Sequence, residues 1–274
     1  MPEGDTIFRA AQTLQRALAG HAVTRFETVL AHLARVHDDA PITGRTIESV
    51  RSSGKWLLIE FSGGLTLLTH MRMSGSWHIY RPGEPWRQTR SNMRIVIATD
   101  KIVAVAFSVP VAEFHTPRTL AHREGFNRLG PDLLSTEFDD EAALGRLQSR
   151  PDAELGIALL TQSLMAGLGN VFKSEACFAA RLNPFRTVGS LSQTELRDVV
   201  TIAKKLIRSN VVGAYPMRRT TGRTNLSERL WVYKRAGQPC RICGTAIESR
   251  KQGIEARPTF WCPLCQPSKE NMPR

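Results

Sequence analysis

Cys240-Arg241-Ile242-Cys243 and Cys262-Pro263-Leu264-Cys265 are two Cys-x2-Cys pairs with 18 residues between them. Each pair can turn back on itself and set two thiolates on one side of a metal ion. Two such pairs can therefore surround one Zn²⁺ tetrahedrally. The competing reading is a pair of disulfides, which a reducing cytosol disfavours. A site closed by four sulfurs has no open position for substrate, so the metal is expected to hold a fold and to do no chemistry. The surrounding stretch, Trp231 to Gln266, reads as a β-hairpin module. The fifth cysteine, Cys177, lies in an apolar helical stretch and reads as a core residue.

Outward from this module the chain is basic. Between Thr201 and Arg274 there are fifteen Lys and Arg against four Glu and no Asp, and these account for most of the formal net charge of +12. Such an excess points to a polyanion, because cations that displace counterions from phosphates gain affinity; the plainer alternative is a solvated surface that aids solubility. With 42% hydrophobic and 23% charged residues over 274 positions, the composition is that of globular domains with sizeable cores. No run approaches the roughly 18–20 apolar residues of a membrane span, and Pro2, Glu3 and Asp5 do not begin a secretion signal, so a cytosolic location is expected.

Toward the N-terminus, Asp5 or Thr6 is expected to cap a helix running to about Ala19, with Ile7, Ala11, Leu14 and Leu18 on one face. From about Val23 to His115 the pattern changes to short β-rich segments: Thr46–Ser52, Trp56–Phe61, Leu65–His70, Met93–Thr99 and Ile102–Phe107. Gly63-Gly64 and Asp100-Lys101 mark hairpins between them. Their spacing suggests a sandwich or barrel. After Gly130-Pro131, helices are expected over Asp139–Leu147, Ala153–Met165, Asn170–Ala180 and Ser192–Arg208, the last opening with Ser192 and Glu195 at capping-box spacing. Tyr215–Glu228 reads as a mobile basic loop, and the end of the chain as a frayed tail.

The chemistry resides at the start of the chain. Removal of Met1, usual before a small residue, would leave Pro2 as a terminal secondary amine. An α-amino group titrates at about 7.7–8.0, so much of it is unprotonated near neutrality and able to attack a sugar C1′. Glu3 beside it could carry protons. Taken alone, Met-Pro-Glu is an ordinary terminus.

Five segments in order change that reading: Met1-Pro2-Glu3-Gly4-Asp5-Thr6, Gly54-Lys55-Trp56-Leu57-Leu58, His70-Met71-Arg72-Met73-Ser74-Gly75, Gly167 to Glu175, and Arg257-Pro258-Thr259-Phe260-Trp261-Cys262. Together they resemble the formamidopyrimidine-DNA glycosylase and endonuclease VIII family, from residue 1 to about Gln266. The resemblance implies an α+β fold: a catalytic β-sandwich domain with a leading helix over 1–120, a helix-two-turn-helix DNA-binding domain over 125–230, and a zinc-finger hairpin over 231–267. Damaged double-stranded DNA would lie in a basic cleft, bound by a monomer. By the same resemblance Pro2 is the Schiff-base nucleophile, Glu3 the acid/base carboxylate and Lys55 a phosphate contact that assists proton transfer. Gly167, Gly169 and Asn170 form a phosphate-binding turn, Arg257 grips phosphates from the hairpin tip, and Glu175 is a structural or positioning carboxylate. Met73 enters the space left by the extruded base, although a buried core methionine is the competing reading.

The Pro2-Glu3-Gly4 start and the Trp231-Val232-Tyr233 stretch resemble the endonuclease VIII branch, which favours oxidised pyrimidines. His70 to Gly75 resembles the branch that prefers 8-oxoguanine and ring-opened purines. Val103 to Phe114 contains no arginine that could be inserted opposite the lesion. The expected activity is therefore a zinc-stabilised bifunctional glycosylase and lyase, cutting by β,δ-elimination, with pyrimidine lesions favoured. A non-catalytic damage sensor and a zinc-dependent RNA-binding protein are the other readings.

Overall fold

A computed structural model of the chain describes residues 2–212 and 217–268. The chain divides into two compact units, 1–128 and 129–274. The first begins with α1 (Gly4–Leu18), whose face of Ile7, Ala11, Leu14 and Leu18 is buried as its periodicity requires. Its cap differs from expectation. Glu3, in extended conformation, is the N-cap residue, and Asp5 is fully buried within the first turn, where a carboxylate is favoured by the helix dipole.

Two four-stranded antiparallel sheets follow. One is ordered β2 (Ile47–Ser53), β3 (Trp56–Phe61), β4 (Leu65–His70), β8 (Val111–His115). The other is ordered β1 (Arg25–Thr28), β6 (Met93–Ala98), β7 (Val103–Phe107), β5 (Ser76–Tyr80). Alternation along the strands sorts the side chains. Ile95 and Ile97 join Leu57, Ile59, Phe61 and Leu67 in a core shared by both sheets and α1, while Val96, Ala98, Val103 and Val105 form a second cluster. Strands β1, β5 and β8 fall within the β-rich stretch without having been singled out, whereas α2 (Ala31–Asp39) is a helix in that stretch and packs against β1 and β8. The short helix α3 (Pro117–Ala121) follows β8.

The second unit contains α4 (Asp140–Gln148), α5 (Leu155–Leu160), α6 (Asn170–Ala179) and α7 (Gln193–Val212), closed around a separate apolar core. The capping box of α7 forms in both directions: the Glu195 amide donates to Ser192 Oγ at 3.1 Å, and the Ser192 amide donates to the Glu195 carboxylate at 2.7 Å. The helix expected over Ala153–Met165 is much shorter. After Leu160 the chain turns instead, because the Gln162 side chain binds the backbone at Leu160, Gly167 and Leu168 and braces a non-helical loop. The last pair of strands, β9 (Glu248–Gln252) and β10 (Arg257–Trp261), forms the expected hairpin. Of the expected mobile loop, Tyr215 and its neighbour Pro216 lie outside the described residues, as does the tail after Ser268. Leu226–Glu228 forms a single 3₁₀ turn. No helix among the described residues is long and apolar enough to cross a membrane.

Gly75 closes the turn between β4 and β5, its amide donating to the Met71 carbonyl at 2.8 Å. A Cβ there would lie 2.7 Å from the Met71 oxygen and 2.8 Å from its Cα, against backbone that cannot yield. Gly75→Ala is expected to destabilise the N-terminal unit by about 1–3 kcal/mol, read as a lowered midpoint in thermal unfolding; an unchanged midpoint would show that the turn relaxes freely.

Candidate active site and nucleic-acid interface

The geometry of the first unit follows from one packing arrangement. Helix α1 runs antiparallel to β2: the Gly20 amide donates to the Ile47 carbonyl at 2.8 Å, and the Gln15 side chain accepts from the Val50 amide. Eleven residues of helix separate Gln15 from Gly4, about 16 Å, and three residues of strand carry β2 from Val50 to Ser53, about 10 Å, where the chain turns. The start of α1 and the Gly54-Lys55 turn that joins β2 to β3 therefore lie at the same end of this unit. Trp56 pairs in register with His70, so the His70–Gly75 turn lies at this same end.

Pro2 is partly buried just outside the helix, and Glu3 is 1% exposed. Gly54 has φ +57, a left-handed conformation that suits glycine and lets the chain reverse within two residues at Lys55. His70 is held by an edge contact with the Trp56 ring at 4.8 Å, and its Nδ1 accepts the Arg72 amide at 3.0 Å. Burial, then the positive charges of Arg72, Lys55 and Arg123, push its pKa down to about 4. His70 is therefore neutral at physiological pH, a hydrogen-bonding group and not a cation. Met71 is buried and Met73 is 61% exposed, so the core reading fails for Met73 and the turn presents its thioether to solvent.

A supporting cluster was missed in the sequence. Arg123 lies over the Trp56 ring at 4.8 Å and forms two bonds to the Glu113 carboxylate, at 2.8 and 2.9 Å; His115 adds a third at 3.0 Å. The Arg123 guanidinium holds the Glu113 carboxyl below its ordinary value. These residues come from separate segments and carry no local spacing signal. A bulky aromatic beside a lysine turn was the one hint.

In the second unit the expected phosphate-binding residues divide between two segments that meet. Gly167 adopts φ +101, a region closed to most side chains, and its Cβ would face Asp132 and Ile207. Gly169 is the N-cap of α6, and Asn170 begins the helix. The Asn170 amide group donates to the Pro258 carbonyl at 2.7 Å, tying the head of α6 to the residue after Arg257. Lys173 Nζ donates to Thr259 Oγ1 at 2.5 Å, and Gln252 reaches from β9 to Glu154 and to the Pro184 carbonyl. Arg257 stays substantially exposed, paired with Glu255 at 2.7 Å. Glu175 is fully buried. Its carboxylate accepts the amides of Trp231, Val232 and Tyr233 at 2.8–2.9 Å and the Thr220 hydroxyl, which fixes both ends of the 220–231 segment.

The four sulfurs of Cys240, Cys243, Cys262 and Cys265 lie within 4.8 Å of one another. Two separations are 3.8 Å (Cys240–Cys265) and 3.4 Å (Cys243–Cys262). A tetrahedral ZnS₄ centre with bonds of about 2.3 Å needs sulfur separations of roughly 3.8 Å. The donor set and its spacing therefore fit a zinc ion, and none of the four is in a disulfide. Cys177 is buried in α6, and burial pushes its thiol up to about 12, too high for a nucleophile.

The depressed His70 value gives a pH dependence with a defined sign. Above its unfolded pKa of about 6.5, the ring is neutral in both states and the folded site is undisturbed; as pH falls from about 6.5 towards 4, the unfolded chain takes up the proton first and stability is lost. Compared with the wild type, His70→Asn should lose about 2 kcal/mol less over this window in denaturant titrations. Parallel curves for the two proteins would rule out His70 as the source.

Two family descriptions match the chain: the formamidopyrimidine-DNA glycosylase N-terminal domain over residues 1–121, and the H2TH domain of the same enzymes over residues 129–220. "Probable endonuclease 8 2" of Streptomyces coelicolor is 41% identical over 97% of this chain and 94% of its own length. "DNA-(apurinic or apyrimidinic site) lyase Nei2" of Mycolicibacterium smegmatis is 37% identical over 97% and 99%. The crystal structure of the Lactococcus lactis formamidopyrimidine-DNA glycosylase bound non-covalently to DNA containing an AP site shares the fold, with a TM-score of 0.80 at 19% identity over 97% of this chain and 100% of that one. Sequence and fold thus agree that this chain belongs to the formamidopyrimidine-DNA glycosylase and endonuclease VIII family.

Proposed function

We propose that the protein is a bifunctional DNA glycosylase and AP lyase of base excision repair, acting as a monomer on damaged double-stranded DNA and favouring oxidised pyrimidines. The observation that carries this reading is the antiparallel packing of α1 on β2, which leaves Pro2 and Glu3 at the same end of the unit as the Lys55 turn. With Met1 removed, the Pro2 nitrogen attacks C1′ of the damaged nucleotide. The glycosidic bond breaks, the base leaves with the bonding electrons and a proton, and an iminium ion links Pro2 to the sugar. Glu3, buried at the head of the helix, carries protons as the ring opens and as C2′ is deprotonated. β-Elimination then expels the 3′ phosphate and δ-elimination the 5′ phosphate, leaving a one-nucleotide gap. Lys55 holds the phosphate beside the reacting sugar.

Gly167, Gly169, Asn170 and Arg257 hold flanking phosphates. The bond from Asn170 to the Pro258 carbonyl supports a joint role, because it keeps the turn and the hairpin in register. The exposed Met73 supplies the apolar wedge that compensates for unstacking of the extruded base. Zn²⁺ on Cys240, Cys243, Cys262 and Cys265 serves only to hold the hairpin that presents Arg257. The pyrimidine preference is supported by the endonuclease 8 relatives and by the absence of arginine between Val103 and Phe114. The exposed Met73 on its His70–Gly75 turn favours the second reading, the same chemistry on 8-oxoguanine and ring-opened purines. Work on the chromosome places the enzyme in the bacterial cytosol, at the nucleoid.

Borohydride trapping tests the chemistry. Protein lacking Met1 should cross-link through Pro2 to duplexes carrying thymine glycol, dihydrouracil or an abasic site, more than to 8-oxoguanine, and Glu3→Gln should cut base excision by at least about 100-fold. Binding of every duplex with trapping of none would replace the enzyme with a damage sensor. Chelation of the metal should abolish the hairpin's order and weaken DNA binding by at least about tenfold, read by circular dichroism and by fluorescence anisotropy. Undiminished binding after complete metal removal would remove the zinc from this scheme.

A further inference from the structure

A cavity of about 360 Å³ lies in the first unit between α1 and the edge strand β5. Thr6, Arg9 and Thr13 form one wall, with Trp77, His78 and Arg87 opposite. The three α1 residues are spaced i, i+3 and i+7, so they share one face of the helix and extend about 10 Å from its first turn. The wall thus starts one helical turn from Glu3 and leads away from it.

The lining offers donors and cations. Arg9 lies 4.0 Å from the buried Asp5 carboxylate, which fixes its stem and leaves its side chain 32% exposed. Among the described residues no carboxylate lies within 4.0 Å of the exposed Arg87 guanidinium, although its backbone amide donates to the Tyr80 hydroxyl at 3.1 Å. The Trp77 indole N–H is directed to Thr69 Oγ1 at 3.4 Å, which orients the ring. His78 is engaged by Ser76 at 3.0 Å and Gln88 at 3.4 Å; burial and Arg87 hold its pKa below the ordinary value, so it adds a polar contact and no charge. Thr6 and Thr13 donate their hydroxyl protons within α1, to Asp5 Oδ1 at 3.3 Å and to the Arg9 carbonyl at 2.9 Å, so the two guanidinium groups carry the selection for an anion, and a tetrahedral oxyanion suits the forked geometry of arginine.

We propose that this cavity is a phosphate site for the damaged DNA strand, holding a backbone phosphate beyond the nucleotide that meets Pro2, with Arg87 as its principal cation. The assignment rests on the reading of Pro2 as the group that meets the damaged sugar. It extends the interface along α1, away from Lys55 and its turn. A strand held here is anchored on the far side of the reacting sugar, which limits its sliding while the base is extruded.

The test uses full-length, zinc-loaded protein lacking Met1 and a duplex carrying a tetrahydrofuran abasic analogue, with dissociation constants measured between about 50 and 200 mM KCl. Arg87→Ala should weaken binding about 3- to 10-fold at the lower salt and reduce the slope of log affinity against log salt by about one. Arg87→Lys should restore the slope. An Arg87→Ala slope equal to that of wild type overturns the proposal. Thymidine monophosphate and inorganic phosphate, titrated into the protein alone with tryptophan fluorescence as the readout, separate the sources of the anion. Saturable binding of either with an unchanged DNA slope assigns the cavity to a free ligand and also overturns the proposal. Failure of the wild type to trap any abasic duplex would refute the lyase reading while leaving the slope comparison intact.

Discussion

The antiparallel packing of α1 on β2 is the constraint on which the catalytic end depends. A chain terminus normally frays, because few contacts repay the entropy of ordering it. Here Gly4, Asp5 and Ile7 of the first turns are buried, and the far end of the helix is tied to β2 through Gln15 and Gly20. The terminus is therefore as well placed as a residue in the middle of a sheet. A nucleophile at the end of a chain is useful only under this condition, since reacting atoms must be held within a fraction of an ångström of their productive positions.

In the second unit, the Gly167–Asn170 turn and the β10 hairpin are distant in sequence and are joined by bonds that Asn170 and Lys173 donate to β10 and by the Phe260 amide, which donates to Ser174 Oγ at 3.5 Å. Glu175 continues the same helix and collects three successive backbone amides. One helix, α6, thus organises the turn before it, the hairpin beside it and the segment from Thr220 to Tyr233. The four cysteines, a set that could hold a metal ion, lie in the same part of the unit as the small apolar cluster of Phe178, Val232, Ile247 and Phe260.

Much of this was legible in the chain. The β-rich runs Trp56–Phe61 and Met93–Ala98, the capping box at Ser192, and the cysteine spacing each have a local cause and appear where expected. The departures also have causes. Asp5 looks like a cap by type, yet tertiary packing buries it inside the first turn and leaves the cap position to Glu3. The apolar run after Ala153 looks helical throughout, but the side chain of Gln162 competes for the backbone and ends the helix at Leu160. Helix α2 buries only Leu33, so its period is too faint to separate from neighbouring strands. The Arg123–Glu113–Trp56 cluster could not be seen, because it exists only once three segments are folded together.

The bond from Asn170 to the Pro258 carbonyl spans 88 residues of sequence with a single contact. Such a short circuit separates two kinds of evolutionary freedom. The head of α6 and the residue after Arg257 are locked to one another by geometry. The chain between Thr220 and Trp231 is secured at its ends by Glu175, so its interior can lengthen, shorten or change composition without disturbing that lock. Change within that surface segment is therefore mechanically insulated from the turn and the hairpin.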